Sequence, residues 1–137
     1  MDTKFSVAVH LLILISESAV PINSDRMAES VGTNASYVRK ILSLLKKSNI
    51  IGRVGSSYSL TYPPEHLTLL KIYQAVMEES EIHLLDIHRN PNDNCIVGRH
   101  IKPVLTDMFT DIEKEFANSL ESKTLADCIK GIEKRIK

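Results

Sequence analysis

Tryptophan is missing from the 137 residues, aromatic residues make up only 5%, and Cys95 and Cys128 are the 2 cysteines. So few thiols exclude a disulfide framework and a self-contained zinc or iron–sulfur site. The core must then be built mainly from Ile, Leu, Val and Met, and such a core points to helices. No apolar run reaches the roughly 18 residues needed to span a bilayer. The apolar stretch Val7 to Ile15 lacks a basic segment before it and a small-residue cleavage site after it, so a cytoplasmic protein with no membrane partner is expected. Glycine is scarce, with 5 in the chain, and there is no P-loop, G-x-S-x-G, H-E-x-x-H or glycine-rich nucleotide turn. Asp111 and Glu115 share a helix face, but nothing near them supplies the burial that splits two carboxylate pKa values. The chain is expected not to be an enzyme.

Net charge is absent too: 17 Lys+Arg stand against 17 Asp+Glu. That average conceals an asymmetry. Residues 24–62 hold six bases (Arg26, Arg39, Lys40, Lys46, Lys47, Arg53) against two acids (Asp25, Glu29), a balance of +4. Residues 63–137 hold ten bases against thirteen acids, a balance of −3. A basic segment inside a neutral chain is the kind of electrostatic footprint left by a surface that meets nucleic acid.

Hydrophobic spacing supplies the elements. Val7, Leu11, Leu14 and Ile15, with Phe5, Val9, Leu12 and Ile13, predict a helix over 4–18 that is apolar on most sides, with His10 in or beside the core. Pro21 stops it. Ser24 then offers an N-cap for a short helix over 25–31, Gly32 ends that helix, and Asn34 caps a third over 35–48. Ile50, Ile51, Val54, Tyr58, Leu60 and Tyr62 flank Gly55-Ser56-Ser57, which predicts a β-hairpin closed by Pro63-Pro64. Leu67, Leu70, Tyr73, Val76 and Met77 resume the helical period, and a connector rich in turn formers follows over 80–94. Ile101, Leu105, Met108, Ile112 and Phe116, backed by Val104 and Phe109, predict a long helix over 98–120 with Pro103 best tolerated in its first turn. A last helix begins at Thr124, with Asp127 at the capping-box position and Leu125, Cys128, Ile129 and Ile132 inward.

The resulting fold class is mostly α with a small β-hairpin wing: a winged helix-turn-helix plus a long C-terminal dimerisation helix. Residues 1–78 form the DNA-binding unit, 79–97 the connector, and 98–137 the dimerisation helix and C-terminal helix. Inward positions of the third helix are taken by Val38, Ile41 and Leu42, which leaves Ser36, Tyr37, Arg39 and Lys40 for the major groove. Lys46, Lys47 and Arg53 extend the cationic surface toward the wing, where Arg53, Ser56, Ser57 and Tyr58 face DNA. The bland alternative is an ordinary solvated helix surface. Ile101, Leu105, Met108, Phe109, Ile112 and Phe116 make a stripe too wide for an exposed helix, and a second copy of the chain would cover it. Folding back on its own domain, or docking a different protein, are the other readings of that stripe.

Lys4-Phe5-Ser6-Val7-Ala8-Val9-His10, Asn34-Ala35-Ser36-Tyr37-Val38, the hairpin leading to Tyr58, and Leu67-Thr68-Leu69-Leu70-Lys71-Ile72-Tyr73-Gln74-Ala75-Val76 resemble the bacterial winged-helix regulators grouped with IscR, NsrR and CymR, the Rrf-two type. Asn94-Cys95-Ile96-Val97-Gly98 and Thr124-Leu125-Ala126-Asp127 extend the resemblance over nearly the whole chain, and it is most similar to the cluster-free YwnA-like branch. The resemblance implies a homodimeric transcription regulator, usually a repressor, that binds a palindromic operator in double-stranded DNA. Members carrying an iron–sulfur cluster present three cysteines in and around the loop before the dimer helix. Here only Cys95 stands there, so no cofactor is expected. The family wing commonly has a longer glycine-rich turn after an arginine, whereas here the turn is short and Arg53 comes slightly earlier.

Cys95 follows a polar loop where a helix N-terminus begins, a place that lowers thiol pKa and raises reactivity. Family members that sense oxidants near this position pair with a cysteine in the reading head, but Thr33 and Asn34 occupy that turn here. A switch through Cys95 would then need sulfenic acid, a small-thiol adduct or a bridge between two Cys95 residues; a half-buried structural thiol is the alternative. Cys128 reads as core. His83, His88, Cys95 and His100 match no standard zinc spacing, so no metal is expected. A regulator answering to a small-molecule effector, with no redox role, also remains open, as does a winged-helix module for protein interaction.

Overall fold

The computed structural model describes residues 2–136. They form α1 (Lys4–Glu17), α2 (Ser24–Val31), α3 (Ala35–Lys47), β1 (Ile51–Val54), β2 (Ser57–Leu60), a short 3-10 turn at Pro64–His66, α4 (Leu69–Met77), α5 (Ile96–Glu121) and α6 (Leu125–Ile136). Helix, short helix, helix, hairpin and long helix is the winged helix-turn-helix order that the spacing predicts.

Helix ends follow from local chemistry. Asn34 caps α3 with its side-chain oxygen, which accepts from the Tyr37 N–H at 2.9 Å. The cap of α2 lies one residue earlier than expected: Asn23, in an extended conformation, accepts from the Arg26 N–H at 2.9 Å, which frees the Ser24 hydroxyl for another partner. Gly32 is left-handed at φ +82°, and the Gly32 and Thr33 N–H groups both donate to the Ala28 carbonyl, closing α2 and leaving three residues, Gly32 to Asn34, between α2 and α3. That tight closure turns α3 across α2. β1 and β2 pair antiparallel in the register Ile51 to Leu60, Gly52 to Ser59, Arg53 to Tyr58 and Val54 to Ser57. Gly55, at φ +64°, supplies the turn conformation that the two-residue loop demands.

The core gathers around α1, which touches α2, α3, β2, α4 and α6. Leu11 and Leu12 meet Met27, Val38, Ile41, Leu45, Ile72 and Val76, all fully buried. α6 belongs to this core. Leu125 is fully buried and Ile129 nearly so, and the Leu69 N–H donates to Lys123 while the Leu125 N–H donates to Leu67, each at 2.9 Å. The predicted capping box forms, with the Thr124 N–H on Asp127 at 2.9 Å and the Asp127 N–H on the Thr124 hydroxyl at 3.2 Å. α6, grouped by sequence with the long helix, thus packs on α1 and the 3-10 turn. Ile132, expected inward, is exposed at the α1 side of α6, and Cys128 is half-buried.

α5 departs from this body. None of its residues is buried. It starts two residues before the expected position, and Pro103 is its eighth residue, inside the helix, where it leaves the Arg99 carbonyl without its usual donor. Two contacts strap the connector to it. The Glu113 carboxylate accepts from the Leu84 and Leu85 N–H groups. At Gly98 the connector backbone passes so close that a Cβ would run into the Asn92 carbonyl.

Leu125→Ala is expected to lower the stability of the whole chain by about 2–5 kcal/mol in one cooperative transition. Denaturant unfolding followed by circular dichroism checks this, and a separate early transition for the C-terminal residues would contradict the placement of α6.

Candidate nucleic-acid interface

Burying Val38, Ile41, Leu42 and Leu45 commits one face of α3 to the core and fixes what the other face shows. Ser36, Arg39, Lys40, Ser43 and Lys46 are all exposed, and their spacing of three and four residues places them on one continuous stripe. The Arg39 guanidinium is oriented by two hydroxyls: it donates to Ser36 at 3.3 Å and, more weakly, to Ser24 at 3.5 Å. Among the described residues no carboxylate forms an ion pair with Arg39, Lys40, Lys46 or Arg53. The stripe is therefore a cationic surface open to an external anion.

The sequence-predicted residues are not all equally placed. Ser36, Arg39 and Lys40 lie on the stripe. Tyr37 is half-buried against the core and lines a surface recess with Thr3, Ser6, His10 and Thr33. Lys46 reaches the wing as expected, but Lys47 turns to α4 and pairs with Glu78 at 3.8 Å. Ser24 and Ser43 join the site without having been expected there. Ser43 was legible, since it lies seven residues after Ser36 on the same helical face; Ser24 was hidden because it was expected to cap its own helix.

On the wing, Arg53 and Tyr58 are direct cross-strand partners, and the guanidinium carbon lies 5.4 Å from the ring centroid. Ser56 is exposed at the turn and Ser57 is half-exposed beside it. Tyr58 itself packs against the core.

Along α5 the apolar side chains divide between two jobs. Phe116 stacks edge-to-face on Tyr73 at 5.6 Å, and Tyr73 stacks on Phe5 at 5.4 Å, so this dimer-stripe residue makes its contact inside the chain. Met108 and Ile112 stay 57% and 48% exposed, joined by Val97 at 64% and Val104 at 48%, while Ile101, Leu105 and Phe109 are half-buried.

Cys95 is exposed at the N-cap of α5. No N–H closes a full hydrogen bond on its sulfur, but the Gly98 and Val97 N–H groups at the open helix end pull its pKa below that of an ordinary thiol. Burial, with a smaller push from Asp127, raises the Cys128 thiol. His83 is bound to Asp86 at 2.6 Å, and that bond chiefly raises its pKa; His100 Nδ1 lies 2.8 Å from the Ile96 carbonyl. No helix among the described residues is long and apolar enough to cross a membrane.

Comparison with known proteins gives one consistent answer. The family model described as Rrf2, iron-dependent transcriptional regulator, matches residues 1–131. A Bacillus subtilis (strain 168) protein named as an HTH-type transcriptional regulator, YwnA, is 38% identical over 129 residues, which span 93% of this chain and 95% of the relative. A crystal structure described as a DNA-binding protein is 35% identical, with a TM-score of 0.73 over 92% of this chain and 98% of that one. CymR, the global cysteine regulator of B. subtilis, shares the fold at a TM-score of 0.67 and 18% identity, covering 93% of each chain. All of these are regulators or DNA binders by description, and none is an enzyme.

The donor set here does not fit an iron–sulfur cluster, which takes its ligands mainly from several thiolates. Cys95 stands alone before α5, Cys128 sits on the core side of α6, and among the described residues no three His, Cys, Asp or Glu side chains converge as a metal-binding group.

The two thiols are expected to separate by reactivity. A thiolate pKa lowered at Cys95 and raised at Cys128 means that alkylation by iodoacetamide near neutral pH favours Cys95 by at least about tenfold, with its rate midpoint at lower pH. Mass spectrometry of a pH series measures both; equal rates would contradict the N-cap environment.

Proposed function

The chain belongs to the Rrf2 family and is a DNA-binding transcriptional regulator, and from that premise we propose that it acts as a homodimeric repressor on a palindromic operator in the cytoplasm. The observation that carries this reading is the cationic stripe of α3, which lies beside the wing and, among the described residues, forms no internal ion pair through Arg39, Lys40 or Lys46. Ser36, Arg39 and Lys40 offer hydroxyl and cationic donors near the helix N-terminus, where base edges and phosphates are met. Tyr37 adds its hydroxyl from a ring anchored in the core. Arg53, Ser56, Ser57 and Tyr58 contact DNA from the hairpin.

Residues 1–78 together with α6 make the DNA-contacting unit, 79–97 connect, and α5 makes the dimer. Ile101, Leu105, Met108, Phe109 and Ile112 supply the stripe that crosses its twin, with Phe116 anchoring the helix to its own reading head. Two such heads on one side of the pair meet successive major grooves. Cys95 gives this dimer its thiol response: a peroxide oxidises the thiolate to sulfenic acid with release of hydroxide, and a small thiol then condenses with the sulfenic acid to a mixed disulfide with loss of water, each product changing charge and bulk at the start of α5.

Arg39→Ala with Lys40→Ala is expected to weaken operator binding by more than tenfold and to reduce the slope of log affinity against log salt by up to about 1.8, roughly 0.9 for each phosphate no longer neutralised. Titrations at several salt concentrations check this, and an unchanged slope would remove α3 from the interface. Wild-type protein is expected at twice the chain mass by light scattering, and Met108→Asp with Ile112→Asp at the mass of one chain. A wild-type monomer would contradict the dimer.

A further inference from the structure

Between α3 and the wing lies a recess of about 180 Å³, lined by Arg39, Leu42, Ser43, Lys46, Arg53 and Tyr58. We propose that this recess is a phosphate site, taking one backbone phosphate of the bound DNA, and that Arg53 is a phosphate clamp rather than a reader of bases. The assignment rests on the DNA-binding reading and sharpens it.

Strand geometry decides where Arg53 points. Side chains alternate along β1 with period two, so Arg53 shares a face with the buried Ile51, and its partner Tyr58 shares a face with Leu60. That face turns toward α3. The guanidinium lies along the Tyr58 ring at 5.4 Å, which holds it back from the hairpin tip. The tip itself is Gly55 and Ser56, and Val54 points away at 70% exposure. An arginine entering a minor groove has to lead the wing; this one stands behind it, facing the helix.

Three cations thus line one small space, one of them held in place by the Ser24 and Ser36 hydroxyls. No carboxylate lines the recess. Three like charges gathered without a counter-charge repel one another, and a tetrahedral oxyanion relieves that repulsion. Guanidinium forks match phosphate oxygens, lysine supplies a point charge, and the Ser43 hydroxyl adds a neutral donor. At about 180 Å³ the recess has room for the oxygens of one phosphodiester. The stretch from α3 to the wing is where a backbone strand runs when α3 occupies the major groove.

The test compares the intact wild-type chain with Arg53→Ala, Arg53→Lys and Lys46→Ala, each measured against a random-sequence duplex and against duplexes selected by the wild type. In the expected result Arg53→Ala weakens both kinds of duplex by the same factor, on the order of tenfold, lowers the salt slope by about 0.9, and leaves the selected motif unchanged. Arg53→Lys keeps most of the slope, which separates loss of charge from loss of fold. If Arg53→Ala instead leaves random duplex binding intact and broadens the selected motif, Arg53 reads bases and the proposal fails. Equal slopes in all four proteins would likewise overturn it while leaving the regulator reading untouched. Inorganic phosphate, titrated into the wild type and followed by NMR shifts of α3 and the wing, distinguishes the source of the anion. Saturation below millimolar, with DNA binding indifferent to Arg53→Ala, would give the recess to a free phosphate and overturn the DNA assignment. A wild type that binds no DNA at any salt overturns the regulator reading and this site with it.

Discussion

Burial of α1 is the constraint from which the rest follows. Its apolar sides are met by α2, α3, β2, α4 and α6, and no surface is left over for it to share with solvent except at its ends and one flank. Each fully buried Leu, Ile or Val contributes roughly 1.5–3 kcal/mol, so the four buried residues of α3 hold that helix in one rotation about its axis. The cationic stripe is the complement of that packing. Its direction is a consequence of the core, and the wing, hydrogen-bonded through Thr61 to Ile50, is set beside it by the same burial.

A second constraint joins the reading head to the long helix. Aromatic residues are few, yet three of them, Phe5, Tyr73 and Phe116, form one edge-to-face chain from α1 through α4 to α5. Phe116 lies near one end of α5 and Cys95 caps the other, some 30 Å away at a rise of about 1.5 Å per residue. The Glu113 contacts and the close passage at Gly98 tie the connector along the same helix. Under the proposed thiol response, a chemical event at Cys95 would act on this strapped helix, and the partner chain proposed to lie along Met108 and Ile112 would feel its displacement.

Much of this architecture was legible in spacing alone. Asn34 and the Thr124 to Asp127 box are side-chain caps, and such caps are written locally in the sequence. The stripe Ser36, Arg39, Lys40 followed once Val38, Ile41 and Leu42 were assigned inward. What could not be read depended on non-local contact. Ser24 turns from cap to partner of Arg39 only because Asn23 takes the cap. Lys47 turns from the stripe because α4 brings Glu78 to it, Phe116 stacks inside the chain because Tyr73 is there to receive it, and α6 joins the core through backbone bonds at Lys123 and Leu67.

The measurement that bears most directly on a paired reading head is selection of bound fragments from a random duplex pool by the purified wild-type chain at moderate salt. Two α3 helices related by a two-fold axis predict one palindromic motif, with half-site centres about 34 Å apart or a multiple of it. No enrichment over competitor DNA, or a single unpaired half-site, would contradict that pairing.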